Sequence, residues 1–238
     1  MKITIVMPTY NEAENLPKMA DTLFALPLKN LNLLVVDDNS ADGTGTIADM
    51  LAQKYPGKLT VIHREGKLGL GTAYIDGFKH LLQGDSDVIG QMDADFSHPP
   101  EKIVELAEAL HACDVAVGSR YIPGGSLDEH WPLWRKGLSS FANFYARAIL
   151  NLPIKDTTGA FRLIKRDALK KLPLDRIRSN GYVFQVELAY LMHKVGLSFK
   201  EVPIYFKERE LGASKMSFGI QLEAALRVWA LLWQYRDL

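Results

Sequence analysis

Short β-branched and apolar runs alternate through the first half of the chain with longer stretches whose apolar positions recur at helical spacing. This is the pattern of a parallel sheet wrapped by helices. It predicts strands at about 3–7, 31–37, 58–64, 86–92 and 114–119, and helices at about 13–26, 42–55, 70–83 and 100–112. Asn11, with Glu14 three positions on, offers the first helix a capping start. Pro99 and Pro100 suit the first turn of the last helix but not its interior. From about residue 120 the pattern loosens into a Gly/Pro-rich loop from Ile122 to Gly125, an aromatic and basic helix at about 131–151 and a strand at 160–165. A helix at about 182–196, a strand near 198–207 and an amphipathic helical stretch at about 216–235 complete it. No linker, composition shift or internal repeat marks a boundary, so a single α/β domain over 1–238 is expected, with that stretch as its C-terminal extension.

Composition narrows the functional classes. Of 238 residues 47% are apolar and 24% charged, enough for a substantial core and too apolar for disorder. Lys and Arg total 28, and Asp and Glu also total 28. A nucleic-acid surface normally shows a basic excess, so nucleic acid is not an expected partner. The lone cysteine, Cys113, sits in an apolar stretch and can form neither a disulfide nor a thiolate cluster within the chain. The apolar run from Ile3 to Met7 is too short for a signal-peptide core and reads as the first strand of a cytoplasmic protein. No window reaches the ~18 uninterrupted apolar residues of a spanning helix, so membrane contact is expected to be peripheral.

Candidate chemistry lies where the strands end. Ligands of open parallel sheets bind beyond the carboxyl ends of the strands, where loops and helix N-termini converge. The first strand runs into Pro8-Thr9-Tyr10-Asn11-Glu12, the second into Asp37-Asp38-Asn39-Ser40 and the fourth into Asp93-Ala94-Asp95. Carboxylates gathered on one rim repel one another unless a cation or donor-rich ligand sits among them, which makes a hard-metal site the natural resolution. Helix capping competes with that reading for Asp38 or Ser40 taken singly. Asp93 and Asp95, two apart in an extended segment, leave on the same side and can grip one divalent cation whose other positions take diphosphate oxygens.

Other templates are missing. The chain has no G-x-x-x-x-G-K-[ST] loop, and Gly66, Gly69 and Gly71 do not form G-x-G-x-x-G after a strand. The six histidines show no paired ligand spacing, and there is no G-x-S-x-G elbow. A nucleotidyltransferase would open with a Gly-rich basic loop, whereas the segment after the first strand is acidic.

The ordered set of motifs is specific. Val6-Met7-Pro8-Thr9-Tyr10-Asn11-Glu12, Val35-Val36-Asp37-Asp38-Asn39-Ser40-Ala41-Asp42-Gly43-Thr44, Lys67-Leu68-Gly69-Leu70-Gly71-Thr72-Ala73-Tyr74, Met92-Asp93-Ala94-Asp95-Phe96-Ser97-His98-Pro99-Pro100 and Gly118-Ser119-Arg120-Tyr121 resemble family 2 glycosyltransferases. Within that family they are most similar to the dolichol-phosphate (polyprenol-phosphate) mannose synthases. The likeness continues through Asp156-Thr157-Thr158-Gly159-Ala160-Phe161-Arg162 and Arg209-Glu210-Leu211-Gly212-Ala213-Ser214-Lys215.

The resemblance implies a GT-A nucleotide-sugar fold, Mg2+ or Mn2+ as cofactor, GDP-mannose as donor, a polyprenyl phosphate as acceptor and inversion at the sugar carbon. It implies donor binding by Pro8, Tyr10, Glu12, Val36, Asp37, Asp93 and Ala94, with Arg209 and Lys215 near the diphosphate. Asp93, Asp95 and Ser97 are the implied metal ligands; relatives can carry Gln at the Ser97 position, and a serine hydroxyl is a weaker ligand with shorter reach. Arg120, Arg135 and Ser139 fall near the acceptor phosphate, and Asp95, Arg120 and Arg135 carry the implied catalytic roles. UDP-glucose or another UDP-sugar stays open as donor, and the competing class is a nucleotide-sugar or lipid-phosphate binding subunit without turnover.

The residues suit that chemistry. Breaking a sugar–diphosphate bond builds negative charge on the leaving group, which a divalent cation, Arg209 and Lys215 would offset. A phosphate acceptor is already anionic near neutral pH, so arginines that position it replace a general base. Trp131-Pro132-Leu133-Trp134-Arg135-Lys136 sets two aromatics beside two cations, as at a membrane interface. The stretch at about 216–235 fits membrane contact or core packing equally. The expected place is the cytoplasmic face of a membrane, held peripherally, with a membrane subunit left open as a partner.

Overall fold

The structure, a computed structural model, describes residues 1–208 and 218–238, with the side chains of the final helix described from residue 224 onward. Elements follow in the order β1 (Ile3–Thr9), α1 (Leu16–Phe24), β2 (Leu31–Asp37), α2 (Thr44–Lys54), β3 (Leu59–His63), α3 (Leu70–Leu82) and β4 (Val88–Gln91). Next come α4 (Ile103–Ala109), preceded by a 3-10 turn at Pro100–Lys102, then β5 (Val115–Ser119), β6 (Ser126–Leu127) and α5 (Leu133–Leu150). The chain then forms β7 (Arg162–Lys165), α6 (Arg166–Leu169), α7 (Gly181–Lys194), β8 (Phe199–Pro203), β9 (Tyr205–Phe206) and α8 (Phe218–Gln234).

Seven strands form one sheet in the order β3-β2-β1-β4-β7-β5-β8, and β6 pairs with β9 in a separate ribbon. Only β7 runs antiparallel, against β4 and β5. Alternate residues of the central strands serve two cores: Ile3, Ile5 and Met7 pack with α1, α2 and α4, while Val6, Leu34 and Val36 pack with α3, α7 and α8. A sheet covered on both faces explains why its strands read as nearly continuous apolar runs. Helix α3 approaches β1 so closely that a Cβ on Gly77 would lie 2.4 Å from Val6 Cγ1. Among the described residues no helix is long and apolar enough to cross a membrane.

Two expectations change, and a third lies partly outside the described residues. Helix α1 starts at Leu16 with Pro17 in its first turn, and the cap position is Asn15 rather than Asn11. Asn11 instead takes a left-handed conformation, φ 59°, and its Oδ1 accepts the Ala41 N–H at 3.2 Å. The Tyr10–Asn15 segment is thereby tied to the loop after β2 and builds the rim rather than the helix. The strand expected near 198–207 divides into β8 and β9 at Ile204, whose N–H donates to Ser119 O of the main sheet at 3.0 Å while its O accepts the Ser126 N–H of the ribbon at 3.0 Å. The last helix is described from Phe218; residues 216 and 217 lie outside the described residues.

Candidate active site at the carboxyl ends of the strands

A cleft of about 230 Å3 opens where β1, β2 and β4 end. Its walls come from Pro8, Thr9, Tyr10 and Glu12 after β1, Asp38 after β2, Lys67, Gly69 and Leu70 before α3, and Asp93, Ala94 and Asp95 after β4. Pro8, Tyr10, Glu12, Asp93, Ala94 and Asp95 thus converge as the sequence led us to expect. A roomier depression of about 390 Å3 lies at the opposite end of the sheet, lined by Met1, Asp87 and Lys165 among others, and gathers none of the candidate residues.

Val36 and Asp37 stand behind that wall. Asp37, the last residue of β2, is buried, and its Oδ1 accepts the hydroxyls of Thr9 at 2.9 Å and Ser40 at 2.6 Å. Its neighbour Asp38 faces the cleft in its place. Asp38 forms a buried ion pair with Arg64 and accepts the Gly69 N–H at 3.2 Å. Arg64 also donates to Thr72 Oγ1 at 2.6 Å, locking the entry to α3. Across the mouth, Lys67 Nζ sits 3.7 Å from the centre of the Tyr10 ring. The sequence offers Asp38 only as a rim carboxylate or helix cap and gives Arg64 and Lys67 no role; the Asp37-Asp38 doublet is the signal, but not which of the two faces in.

The loop after β4 is held from three sides. Tyr74, fully buried on α3, donates its hydroxyl to Asp93 Oδ1 at 3.0 Å. Burial first, and the Asp93 charge second, push that phenol well above its ordinary value, so it remains a donor. The Asp93 N–H donates to His98 Nδ1 at 3.2 Å. His98 is buried and stacked on Phe161 with ring centres 5.2 Å apart, and burial pushes its pKa down, favouring the neutral ring. Ser97 donates both its N–H, at 3.0 Å, and its hydroxyl, at 2.6 Å, to Asp95 Oδ1. Ser97 therefore supports Asp95 from behind and is absent from the cleft wall.

Among the described residues no three His, Cys, Asp or Glu side chains form a metal cage. The Asp93 and Asp95 pair on the cleft wall supplies oxygen donors only, the set suited to a hard cation that keeps its other positions for water and substrate oxygens.

A second group of residues lies beyond β5. Arg120 is buried and forked onto Asp156, with Nε to Oδ2 and Nη2 to Oδ1 both at 2.7 Å, and it also donates to Thr158 Oγ1 at 2.8 Å. Burial opposes the charge on both partners, but their mutual attraction prevails, raising Arg120 and lowering Asp156. Tyr121 packs beside Arg120, 5.3 Å from ring centre to guanidinium, and its hydroxyl shares a 2.6 Å hydrogen bond with Ser139. Arg135 stacks 3.6 Å over the Trp131 ring and pairs with Glu208 at 2.9 Å. Phe206 joins the two arginines, 5.0 Å from the Arg120 guanidinium and edge-on to Trp131 at 5.8 Å. Arg120, Arg135 and Ser139 are thus neighbours, each already held by a partner. Arg209 and Lys215 lie outside the described residues.

The outer face of α5 is apolar: Leu133 is 85% exposed, Trp134 69% and Phe144 67%. Trp131 is buried beneath Arg135, so only one aromatic of the Trp131–Trp134 pair faces out. Helix α8 divides the same way. Val228, Leu231 and Tyr235 enter the core, while Leu226, Trp229 and Trp233 are exposed. The Trp229 indole donates to Tyr145 Oη at 3.0 Å, joining the two helices side by side.

Residues 4–173, most of the chain, match the family model described as Glycosyl transferase family 2. The chain belongs to glycosyl transferase family 2. It is 45% identical to the polyprenol monophosphomannose synthase of Mycolicibacterium smegmatis over 94% of this chain and 84% of that one. It is 44% identical to the undecaprenyl-phosphate mannosyltransferase of Micrococcus luteus over 100% of this chain and 98% of the relative. Among solved structures, the Mycobacterium tuberculosis glucosyl-3-phosphoglycerate synthase bound to Mn2+, UDP and glucosyl-3-phosphoglycerate superimposes with TM-score 0.65 at 17% identity, over 98% of this chain and 79% of that chain. S. aureus TarS in complex with UDP-GlcNAc gives TM-score 0.65 at 18% identity, over 98% and 66%. The fold is GT-A, a central sheet flanked by helices, and the protein is a glycosyltransferase.

Proposed function

We propose that this family 2 glycosyltransferase moves mannose from GDP-mannose to a polyprenyl phosphate with inversion, at the cytoplasmic surface of a membrane. The observation that carries the reading is one cleft holding Asp93 and Asp95 on a wall shared with Tyr10, Glu12 and Asp38. Two relatives at 45% and 44% identity are named for polyprenyl mannosyl transfer, which supports the same acceptor class. A fold neighbour binds Mn2+ with UDP, which supports a divalent cation, Mg2+ or Mn2+, that Asp93 and Asp95 would hold.

In this mechanism Pro8, Tyr10, Glu12 and Asp38 hold the nucleoside end of the donor. Asp93, Ala94 and Asp95 seat the diphosphate, whose charge Arg209 and Lys215 offset in the role that the family resemblance implies for them. The cation, when bound, neutralises charge on the departing diphosphate. Arg120, held by Asp156, and Arg135, supported on Trp131, orient the acceptor phosphate for attack from the face opposite the leaving group. The anomeric carbon's bond to GDP breaks as a bond to the acceptor oxygen forms. No proton is removed in that step, because a phosphate monoester with a second pKa of about 6 is already a nucleophilic anion. This accounts for arginines and a neutral, buried His98 in place of a general base. The acceptor phosphate would displace Glu208 from Arg135. The exposed aromatics of α5 and α8 give the lipid tail and the bilayer an apolar landing face, as interfacial helices do.

Asp95→Ala tests the reading: loss of metal-dependent transfer supports it, and full transfer from GDP-mannose refutes it. Melting shifts with GDP-mannose and with UDP-sugars in the presence of Mn2+ or Mg2+ identify the donor, since only a tight ligand stabilises strongly.

A further inference from the structure

Asp93 and Asp95 carry like charges two residues apart on a loop with no strand ladder to fix it, so each carboxylate needs its own restraint. Asp95 has local donors in the Ser97 N–H and hydroxyl. Asp93 is restrained from a distance. Its main chain is fixed by His98, and its Oδ1 accepts a 3.0 Å hydrogen bond from Tyr74, 19 residues earlier on α3. The Tyr74 ring cannot easily swing. It is fully buried, stacked parallel to Phe184 with centres 5.8 Å apart, and packed against Phe78 at 6.0 Å. Its hydroxyl is therefore delivered to one point, and Asp93 presents its carboxylate to the cleft with one oxygen already engaged.

We propose that Tyr74 is a positioning residue for donor binding, its hydroxyl holding the Asp93 carboxylate in the orientation that receives the cation and the donor diphosphate. This rests on the reading of Asp93 as part of the cation and diphosphate seat. Groups that orient a metal ligand typically contribute 10–100-fold in affinity. Tyr74→Phe removes that hydrogen bond while keeping the ring and its stacking. The bland role, a core aromatic, is one that Phe performs equally well.

The test is calorimetric titration of the full chain with GDP, with and without Mn2+, for wild type, Tyr74→Phe and Asp93→Asn, alongside melting of each unliganded protein. The expected result is that Tyr74→Phe weakens Mn2+-dependent GDP binding by about 10–100-fold. GDP binding without metal stays unchanged, and the unliganded melting temperature stays within a few degrees of wild type. Wild-type Mn2+-dependent affinity in Tyr74→Phe, with loss in Asp93→Asn, overturns the role of Tyr74 alone. Retained Mn2+-dependent affinity in Asp93→Asn overturns the reading of Asp93 itself. An unliganded Tyr74→Phe melting more than about 8 °C below wild type, a severe core defect for a chain of this size, assigns the hydroxyl to folding and overturns the proposal.

Discussion

The forked pair between Arg120 and Asp156 sets the sharpest test of how the acceptor side is built. Asp156 is 0% exposed and accepts three bonds from Arg120, from its main-chain N–H and two guanidinium nitrogens, besides the Gly159 N–H at 3.0 Å. Asp156→Asn keeps the shape but removes the charge and turns an NH2 toward guanidinium donors. Arg120, 8% exposed, is then a buried cation with no counter-ion beside it. Breaking a buried pair from one side costs about 3–5 kcal/mol. For a chain of this size each kcal/mol moves the melting temperature by about 2–4 °C, so Asp156→Asn should melt roughly 6–20 °C lower by calorimetry. Replacing both partners with apolar residues, Arg120→Met with Asp156→Leu, should recover only part of that stability, because the buried N–H groups of Arg120 and Gly159 lose their acceptor, and none of the transfer activity. The pH dependence has a definite sign. The folded Asp156 carboxyl titrates below its ordinary value, so its contribution is complete above the unfolded pKa of about 3.9 and is lost only as pH falls through the lower folded value. The wild-type minus Asp156→Asn difference should therefore stay flat from pH 5 to 8 and shrink only in stronger acid. A variant within about 1 kcal/mol of wild type at pH 7, the range of an exposed pair, would refute the description of Arg120 as clamped.

Three further outcomes follow from the same packing. Gly77→Ala, with its Cβ 2.4 Å from Val6 Cγ1, should cost about 1–3 kcal/mol in chemical denaturation, and a neutral result would contradict the close approach of α3 to β1. Arg64→Met strands the Asp38 carboxylate at the cleft and should weaken GDP binding in calorimetry by roughly tenfold or more, in line with the loss of an orienting partner. Trp134→Glu combined with Trp233→Glu, at positions 69% and 72% exposed, should abolish co-sedimentation with phospholipid vesicles and leave the melting temperature nearly unchanged. Unaltered sedimentation would place the bilayer contact elsewhere.

Much of this architecture was legible in local pattern. Strands β1 to β5, the helices α1 to α4 between them and the rim carboxylates Asp93 and Asp95 follow from periodicity and from where apolar runs stop, whereas the short β6 and α6 carry no such period. What escaped depends on contacts between distant segments. Asp37 and Asp38 both fall where β2 ends, and only the three-dimensional rim shows that Asp37 bonds Thr9 and Ser40 while Asp38 meets the cleft. Tyr74 reaches Asp93 across 19 residues, and Glu208 reaches Arg135 across 73, separations that no helical or strand period encodes. Trp131 and Trp134 look alike in sequence, yet Arg135 covers one while the other stays in the open. The apparent cap at Asn11 failed because that side chain bonds the loop after β2, a long-range contact that outweighs a local motif. The zero net charge is likewise matched locally: beyond β5, Arg120 is paired with Asp156 and Arg135 with Glu208.

The central claim is most directly tested by product formation. The purified full chain should be incubated with a short polyprenyl phosphate, radiolabelled GDP-mannose or UDP-glucose, and Mg2+ or Mn2+, with a chelator control and with Asp95→Ala. The account predicts mannosyl polyprenyl phosphate from GDP-mannose alone, lost on chelation and in Asp95→Ala. Glucosyl lipid from UDP-glucose, or no lipid product with either cation, would contradict it.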